Sequence, residues 1–170
     1  MIWIQPEQSP DYAAVDQINR LAFSRADEAQ LVATLRRQVP AAISLVAWWE
    51  TEAVGHILLT PVSLEPPLPG VTAAGLAPLA VLPSKQRQGI GGQLIEAGLA
   101  ACRIQGYSTV IVLGHPAYYP RFGFVPAATK GLYCEFVVRP EAFMLCELTS
   151  QTFDLPRVVV RYHPAFAGFG

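Results

Sequence analysis

Charge is scarce in this chain. Of its 170 residues only 15% are Asp, Glu, Lys or Arg, and 12 basic residues against 13 acidic ones leave a formal net charge of −1. A surface with no excess of either sign offers no electrostatic footprint for nucleic acid or for an anionic membrane, so the expected partners are small molecules or peptides. Cysteine is sparse as well. Cys102, Cys134 and Cys146 are an odd number at spacings that fit no metal motif, and two of them fall in helix or strand patterns. Buried reduced thiols and no metal are expected. Long apolar runs are missing too: a stretch such as Val71 to Leu82 is broken by Gly75 and Pro78 and is too short to span a bilayer. Met1 leads into Trp3, Gln5 and Glu7 rather than into a basic segment and an apolar core, so no secretory leader is read and a cytoplasmic location is expected.

Apolar residues are abundant. They make up 52% of the chain, which at this length is enough to bury one core without staples, so residues 1–170 are read as a single domain. Ile2 to Gln5 reads as a short edge strand. Pro10-Asp11 starts a helix with a stripe of Val15, Ile18, Leu21 and Ala22, and Ser24-Arg25-Ala26-Asp27 resembles a capping box before a second helix bearing Leu31, Val32 and Leu35, stopped at Pro40. Ile43 to Trp49 and Ala53 to Leu59 form a hairpin across Glu50-Thr51-Glu52, and the proline-rich Pro61 to Gly70 reads as an exposed loop. A strand follows from Thr72 to Val81, then a helix from Gly89 to about Gln105 with Gly106 as its stop, then a strand from Ser108 to Leu113 parallel to the one before the helix. Glu135 to Val138, Phe143 to Leu148 and Val158 to Tyr162 complete the strands. The apolar Pro164-Ala165-Phe166 packs either back onto the sheet or onto a second subunit, which leaves a homodimer open.

The segment Leu79 to Ile95 carries the chemistry. A strand that feeds a glycine-rich turn at a helix start presents unpaired backbone N–H groups and the positive end of the helix dipole to an anion. A P-loop is excluded, because Gly-Gln-Leu rather than Lys-Ser/Thr follows the last glycine and Lys85 lies on the wrong side. A dinucleotide fingerprint fits poorly, because after Gly89 and Gly91 the third position is Leu94. The remaining pattern, Gln86-Arg87-Gln88-Gly89-Ile90-Gly91, matches the Gln/Arg-x-x-Gly-x-Gly/Ala pattern of the GNAT superfamily of acetyl-CoA-dependent N-acetyltransferases. Downstream, Val110 to Phe124 resembles the second GNAT signature, a strand and then a short helix carrying Tyr-x-x-x-Gly-Phe. The run Gly-His-Pro-Ala-Tyr-Tyr-Pro-Arg-Phe-Gly-Phe resembles a bacterial subgroup of N-acetyltransferases with poorly defined substrates, and the likeness covers nearly the whole chain.

That resemblance implies an α/β fold with a central, mixed but mostly antiparallel twisted sheet flanked by helices. It implies acetyl-CoA as cosubstrate, no metal, and transfer of an acetyl group to the primary amine of a small molecule or peptide. Pro78 cannot donate a ladder hydrogen bond and belongs at a bulge or splayed edge. By resemblance the strand parts from its neighbour there. The freed backbone of Leu79 and Val81 then pairs with the pantetheine arm, and N–H groups near Leu79, Ala80 and Val81 serve the thioester oxygen. Main-chain donors of Gln86, Arg87, Gln88, Gly89, Ile90, Gly91 and Gly92 hold the pyrophosphate, with Arg87 or Lys85 as side-chain support, and Tyr119 protonates the departing sulfur while Tyr118 packs.

The sequence departs from the family in two places. Gly114-His115-Pro116 stands where many relatives carry an asparagine, so that His115 is either a pantetheine contact or proton relay, or a histidine fixed by backbone hydrogen bonds. No Asp or Glu lies within Leu76 to Val81, where several members keep their base, which leaves Glu28 or an ordered water. The missing base also keeps a second reading open, a non-catalytic module that binds acyl-CoA and senses it.

Overall fold

The computed structural model describes residues 1–150 and 157–168. Among these residues nine strands form: β1 (Ile2–Pro6), β2 (Ile43–Trp49), β3 (Glu52–Glu65), β4 (Ala73–Val81), β5 (Thr109–Leu113), β6 (Val125–Pro126), β7 (Leu132–Cys134), β8 (Phe143–Glu147) and β9 (Val158–Arg161). Three α-helices accompany them, α1 (Tyr12–Phe23), α2 (Asp27–Gln38) and α3 (Ile90–Ile104). Antiparallel pairing predominates, joining β1 to β2, β2 to β3, β3 to β9, β5 to β8 and β6 to β8, while β4 with β5 and β7 with β9 are parallel. The class is the expected one, α/β with a mixed, mostly antiparallel sheet. No helix among the described residues is long and apolar enough to cross a membrane.

The chain divides into two compact units, Met1–Thr60 with Ala77–Ala101 and Pro61–Leu76 with Cys102–Gly170, so that β3 and β4 each contribute to both. In the first unit adjacent residues of β3 face opposite ways, as a strand's two-residue period requires. His56 meets Asn19 of α1 at 3.2 Å, whereas Ile57 and Leu59 lie against Gly98 of α3. Helices thus cover both faces, and Val15, Ile18, Val32, Leu35, Ile57, Leu94 and Ile95 fill the space between at 2% exposure or less. Each such side chain is worth about 1.5–3 kcal/mol of burial. In the second unit Leu64, Ala73, Ile111, Leu132, Phe143, Leu145, Val158 and Val160 make the core.

Four expectations need correction. Leu21 is 46% exposed and Asn19 is buried in its place, because position 21 lies about 120° around the helix from Val15. Ser24 makes no capping box. It is the residue that ends α1, in the left-handed region at φ 55°, and Ala26 precedes α2 without a side-chain cap. The stretch from Pro61 is not all loop: β3 runs on to Glu65, with Leu64 buried. Pro61 falls after the last β2 pair at Leu59 and before the first β9 pair at Ser63, so neither of those ladders calls on its missing N–H. Finally, Glu135 to Val138 is no strand. The strand is β7, just upstream, and Phe136 and Val138 are partly buried, the first by stacking on Tyr162 and the second by packing on the core, rather than through a ladder. The tail Pro164–Phe166 folds into a short turn whose Phe166 is buried, with its ring 5.3 Å from that of Tyr162.

Candidate active site

The end of β4 and the loop after it are built by a change of partner. The parallel ladder with β5 runs from Ala73↔Thr109 to Leu76↔Val112. The strand then passes through a cis Ala77–Pro78 bond and continues to Val81, with Ala80 buried and Leu79 and Val81 half-buried. A bulge in the β2–β3 hairpin leaves Val54 between the pairs Ala47↔Gly55 and Trp48↔Ala53, and its carbonyl accepts the Leu82 N–H at 2.9 Å. Pro83–Lys85 forms a short 3-10 turn. Gln86 folds back so that its Nε2 donates to the Val81 carbonyl at 3.1 Å. Lys85 lays its Nζ 4.3 Å from the centre of the Trp49 ring, a cation–π contact.

The chain then turns through Arg87 at φ 64° and Gly89 at φ 83° into α3. The Gly89 carbonyl accepts the Gln93 N–H at 3.1 Å, which makes it the cap and leaves the N–H groups of Ile90, Gly91 and Gly92 without partners inside the helix. Ile90 is 1% exposed, and its side chain and that of Leu94 are the atoms a Cβ on Gly55 would strike, at 3.2 and 2.9 Å. Ile90 therefore anchors the helix start. Gly91 and Gly92 carry no side chain to cover its donors, and Gln86, Arg87, Gln88 and Gly89, just ahead of them in the chain, are exposed. Main-chain donors, a helix dipole and two cations are the donor set that suits a pyrophosphate.

Tyr119 lies in the second unit, in a short 3-10 turn Tyr119–Phe122 that follows β5. The His115 carbonyl accepts the N–H groups of Tyr118 and Tyr119 at 3.1 and 3.3 Å, and Gly123 at φ 91° ends the turn. The His115 side chain is itself exposed. Tyr119 is 8% exposed, edge-on to Phe124 at 5.5 Å and to Tyr118 at 5.2 Å. Burial, with a smaller contribution from Tyr118, pushes its phenol up to about 12, so at neutral pH it holds its proton. Tyr118 is half-buried, with Phe122 at 5.4 Å and the Arg121 guanidinium 5.0 Å from its ring centre, the arrangement of a packing aromatic.

The candidate base Glu28 is buried and already engaged, both its oxygens accepting from Arg25. Sequence reasoning missed the Trp49 platform under Lys85, which no local pattern signals. It also missed a buried polar chain: Arg36 donates to Glu7, Ser44 Oγ donates to Glu7 and meets His56 Nε2 at 2.8 Å, and Asn19 Nδ2 meets His56 Nδ1. Among the described residues no group of three or more His, Cys, Asp or Glu is placed to hold a metal ion.

Residues 4–127 match the family model described as an acetyltransferase (GNAT) domain. The chain is 40% identical over 151 residues to an uncharacterized N-acetyltransferase, YjhQ, of Escherichia coli (strain K12), covering 85% of this chain and 83% of that protein. It is 33% identical over 167 residues to another from the same strain, YhbS, covering 98% and 99%. The crystal structure of E. coli YhbS in complex with CoA superposes with a TM-score of 0.90 at 32% identity, over 99% of this chain and 93% of that one. A GNAT family acetyltransferase from Brucella melitensis in complex with acetyl-CoA superposes at 0.79 with 32% identity, over 98% of both chains. With the glycine cradle, the tyrosine turn and these likenesses in agreement, the chain belongs to the GNAT family of N-acetyltransferases.

Proposed function

We propose that this protein transfers the acetyl group of acetyl-CoA to the primary amine of a small molecule or peptide by direct attack on the thioester. The observation that carries the reading is the uncovered set of N–H groups at Ile90, Gly91 and Gly92, beside a β4 strand that runs on past its last β5 pair. Two similar proteins, one from E. coli and one from B. melitensis, were crystallised with CoA and acetyl-CoA, which supports the same ligand here. In this reading the loop from Gln86 to Gly92 holds the pyrophosphate, with Lys85 and Arg87 adding charge. Backbone groups of Leu79, Ala80 and Val81 take the pantetheine arm and the thioester oxygen.

The amine lone pair attacks the carbonyl carbon, the C–N bond forms and the C–S bond breaks, and the thiolate takes its proton from the Tyr119 hydroxyl. Tyr119 is assigned that role by its place in the turn after β5, where the family resemblance puts the acid; as a phenol it carries its proton at neutral pH. The amine's surplus proton goes to water.

A second reading, an acyl-CoA sensor that does not turn over, is favoured by one observation: no Asp or Glu lies in Leu76 to Val81 and Glu28 is tied to Arg25. Thiol release from acetyl-CoA, measured with a polyamine, an aminoglycoside, an amino sugar and a peptide with a free N-terminus, decides between them. Release above the amine-free rate with any of these supports the transferase. Tight acetyl-CoA binding with no release from the panel favours the sensor.

A further inference from the structure

We infer that Gly114 is a positioning residue for the Tyr119 hydroxyl, a proposal that rests on the reading of Tyr119 as proton donor. Glycine is not demanded here by the backbone, since Gly114 has no positive φ and its conformation is open to other residues. Space demands it. A Cβ built on Gly114 would stand 2.4 Å from Cε2 of Tyr119, 3.0 Å from Cδ2 and 3.3 Å from Cζ. The Cε2 edge of the ring therefore occupies the space that a side chain at position 114 would fill.

Nor can the ring retreat cheaply. Phe124, 2% exposed, is edge-on to it at 5.5 Å, and Tyr118 is edge-on at 5.2 Å. Both ends of the connection are tied down as well: the Gly114 N–H donates to the Ala142 carbonyl at 2.9 Å, and the Tyr119 N–H donates to the His115 carbonyl. A methyl group at 114 must push Cε2 from 2.4 Å toward the 3.4 Å at which ordinary contact begins. Turning about Cβ–Cγ alone would leave the hydroxyl on its axis, but the edge contacts with Phe124 and Tyr118 hold the ring plane. The ring therefore clears the methyl by tilting about Cα–Cβ and carries the hydroxyl with it. Misplacing a reacting group by about 1 Å can cost roughly 10²-fold in rate. The bare backbone at 114 thus sets where the proton is delivered.

The test is a cycle of Gly114→Ala and Tyr119→Phe, singly and together, with acetyl-CoA and the panel amine that gives the fastest thiol release. Gly114→Ala should lower kcat by roughly 10²-fold while KM for acetyl-CoA and calorimetric CoA affinity hold. In the Tyr119→Phe background, where no hydroxyl is left to misplace, the same change should leave kcat unaltered. If Tyr119→Phe keeps wild-type kcat, the proton-donor reading falls and takes this proposal with it. If Tyr119→Phe is slow but Gly114→Ala is not, or if Gly114→Ala costs the same in both backgrounds, the positioning role alone is overturned. Should Gly114→Ala not fold, Phe124→Leu loosens the ring from a second neighbour: a kcat loss confined to the background that keeps Tyr119 supports the proposal, and an equal loss in both overturns it.

Discussion

Arg25 grips Glu28 with two arms of its guanidinium, Nε donating to Oε1 at 2.8 Å and Nη2 donating to Oε2. The carboxylate side chain is 8% exposed and the arginine 53% exposed, so a cation reached from the solvent side satisfies a buried anion. A carboxylate in such a fork is a poor acceptor for a substrate's proton, because its lone pairs are already committed to a cation.

The amine is therefore expected to arrive already neutral or to lose its proton to water. The rate kcat/KM should climb with pH toward the amine's own pKa, without a plateau set by the protein. Glu28→Gln and His115→Ala should keep that profile. Loss of a limb of the profile in either variant would identify that residue as the base.

At the anion loop, Gly89 holds φ at 83°, and a Cβ placed on it would meet nothing within 4 Å, so valine there suffers from backbone strain rather than from a clash. Gly91 has no positive φ, and valine there would cover the donors of the first helical turn. Each substitution should weaken calorimetric CoA affinity by roughly tenfold or more; the strain at Gly89 should also lower Tm, whereas Gly91→Val should leave Tm nearly unchanged. Unchanged affinity in both would remove the loop from the CoA site.

Tyr119→Phe keeps the ring contacts with Phe124 and Tyr118 and removes only the hydroxyl. Acetyl-CoA affinity should hold while kcat falls by roughly 10²-fold, the scale for loss of a positioned acid. A kcat near wild type at saturating substrates would mean that solvent supplies the leaving-group proton.

His56 gives the fold a pH signature. It is fully buried between Asn19 and Ser44, and burial, reinforced by the nearby Arg36 charge, lowers its pKa to about 3. Unfolded, it titrates near 6.5. Between these values the unfolded chain binds a proton that the folded one does not, so the stability is fully present above about pH 6.5 and is lost as pH falls toward 3, by at most about 1.4 kcal/mol per pH unit. Unfolding midpoints followed from pH 7.5 to 4.5 should fall less steeply for His56→Gln than for wild type. Parallel curves would show that His56 is not the group responsible.

Much of the candidate site was legible because its signals are short in range. Gly106 illustrates this: at φ 90° its N–H donates to the Arg103 carbonyl while the Tyr107 N–H donates to that of Cys102, a helix stop fixed by one residue without a Cβ. The turn at Gly89 and the buried stripe of α3 are local in the same sense, the first settled by backbone freedom and the second by a 3.6-residue period, while the Tyr119 turn was reached through the family resemblance.

The sequence by itself determined the order of β1 to β5 and of the three helices, and the glycine-capped start of α3 after β4, because φ restrictions and hydrophobic periodicity act over a few residues; the tyrosine turn after β5 followed from the family resemblance. Only the tertiary structure decided the rest. It put Asn19 rather than Leu21 against β3, carried β3 past Pro61 to its second partner, fixed Lys85 on Trp49, and tied Glu28 to Arg25. It also revealed that Gly114 leaves room for a ring five positions along the chain. Each of these depends on which atoms a fold brings within a few ångströms, and packing at crystal-like density makes that a property of the whole arrangement rather than of any local stretch.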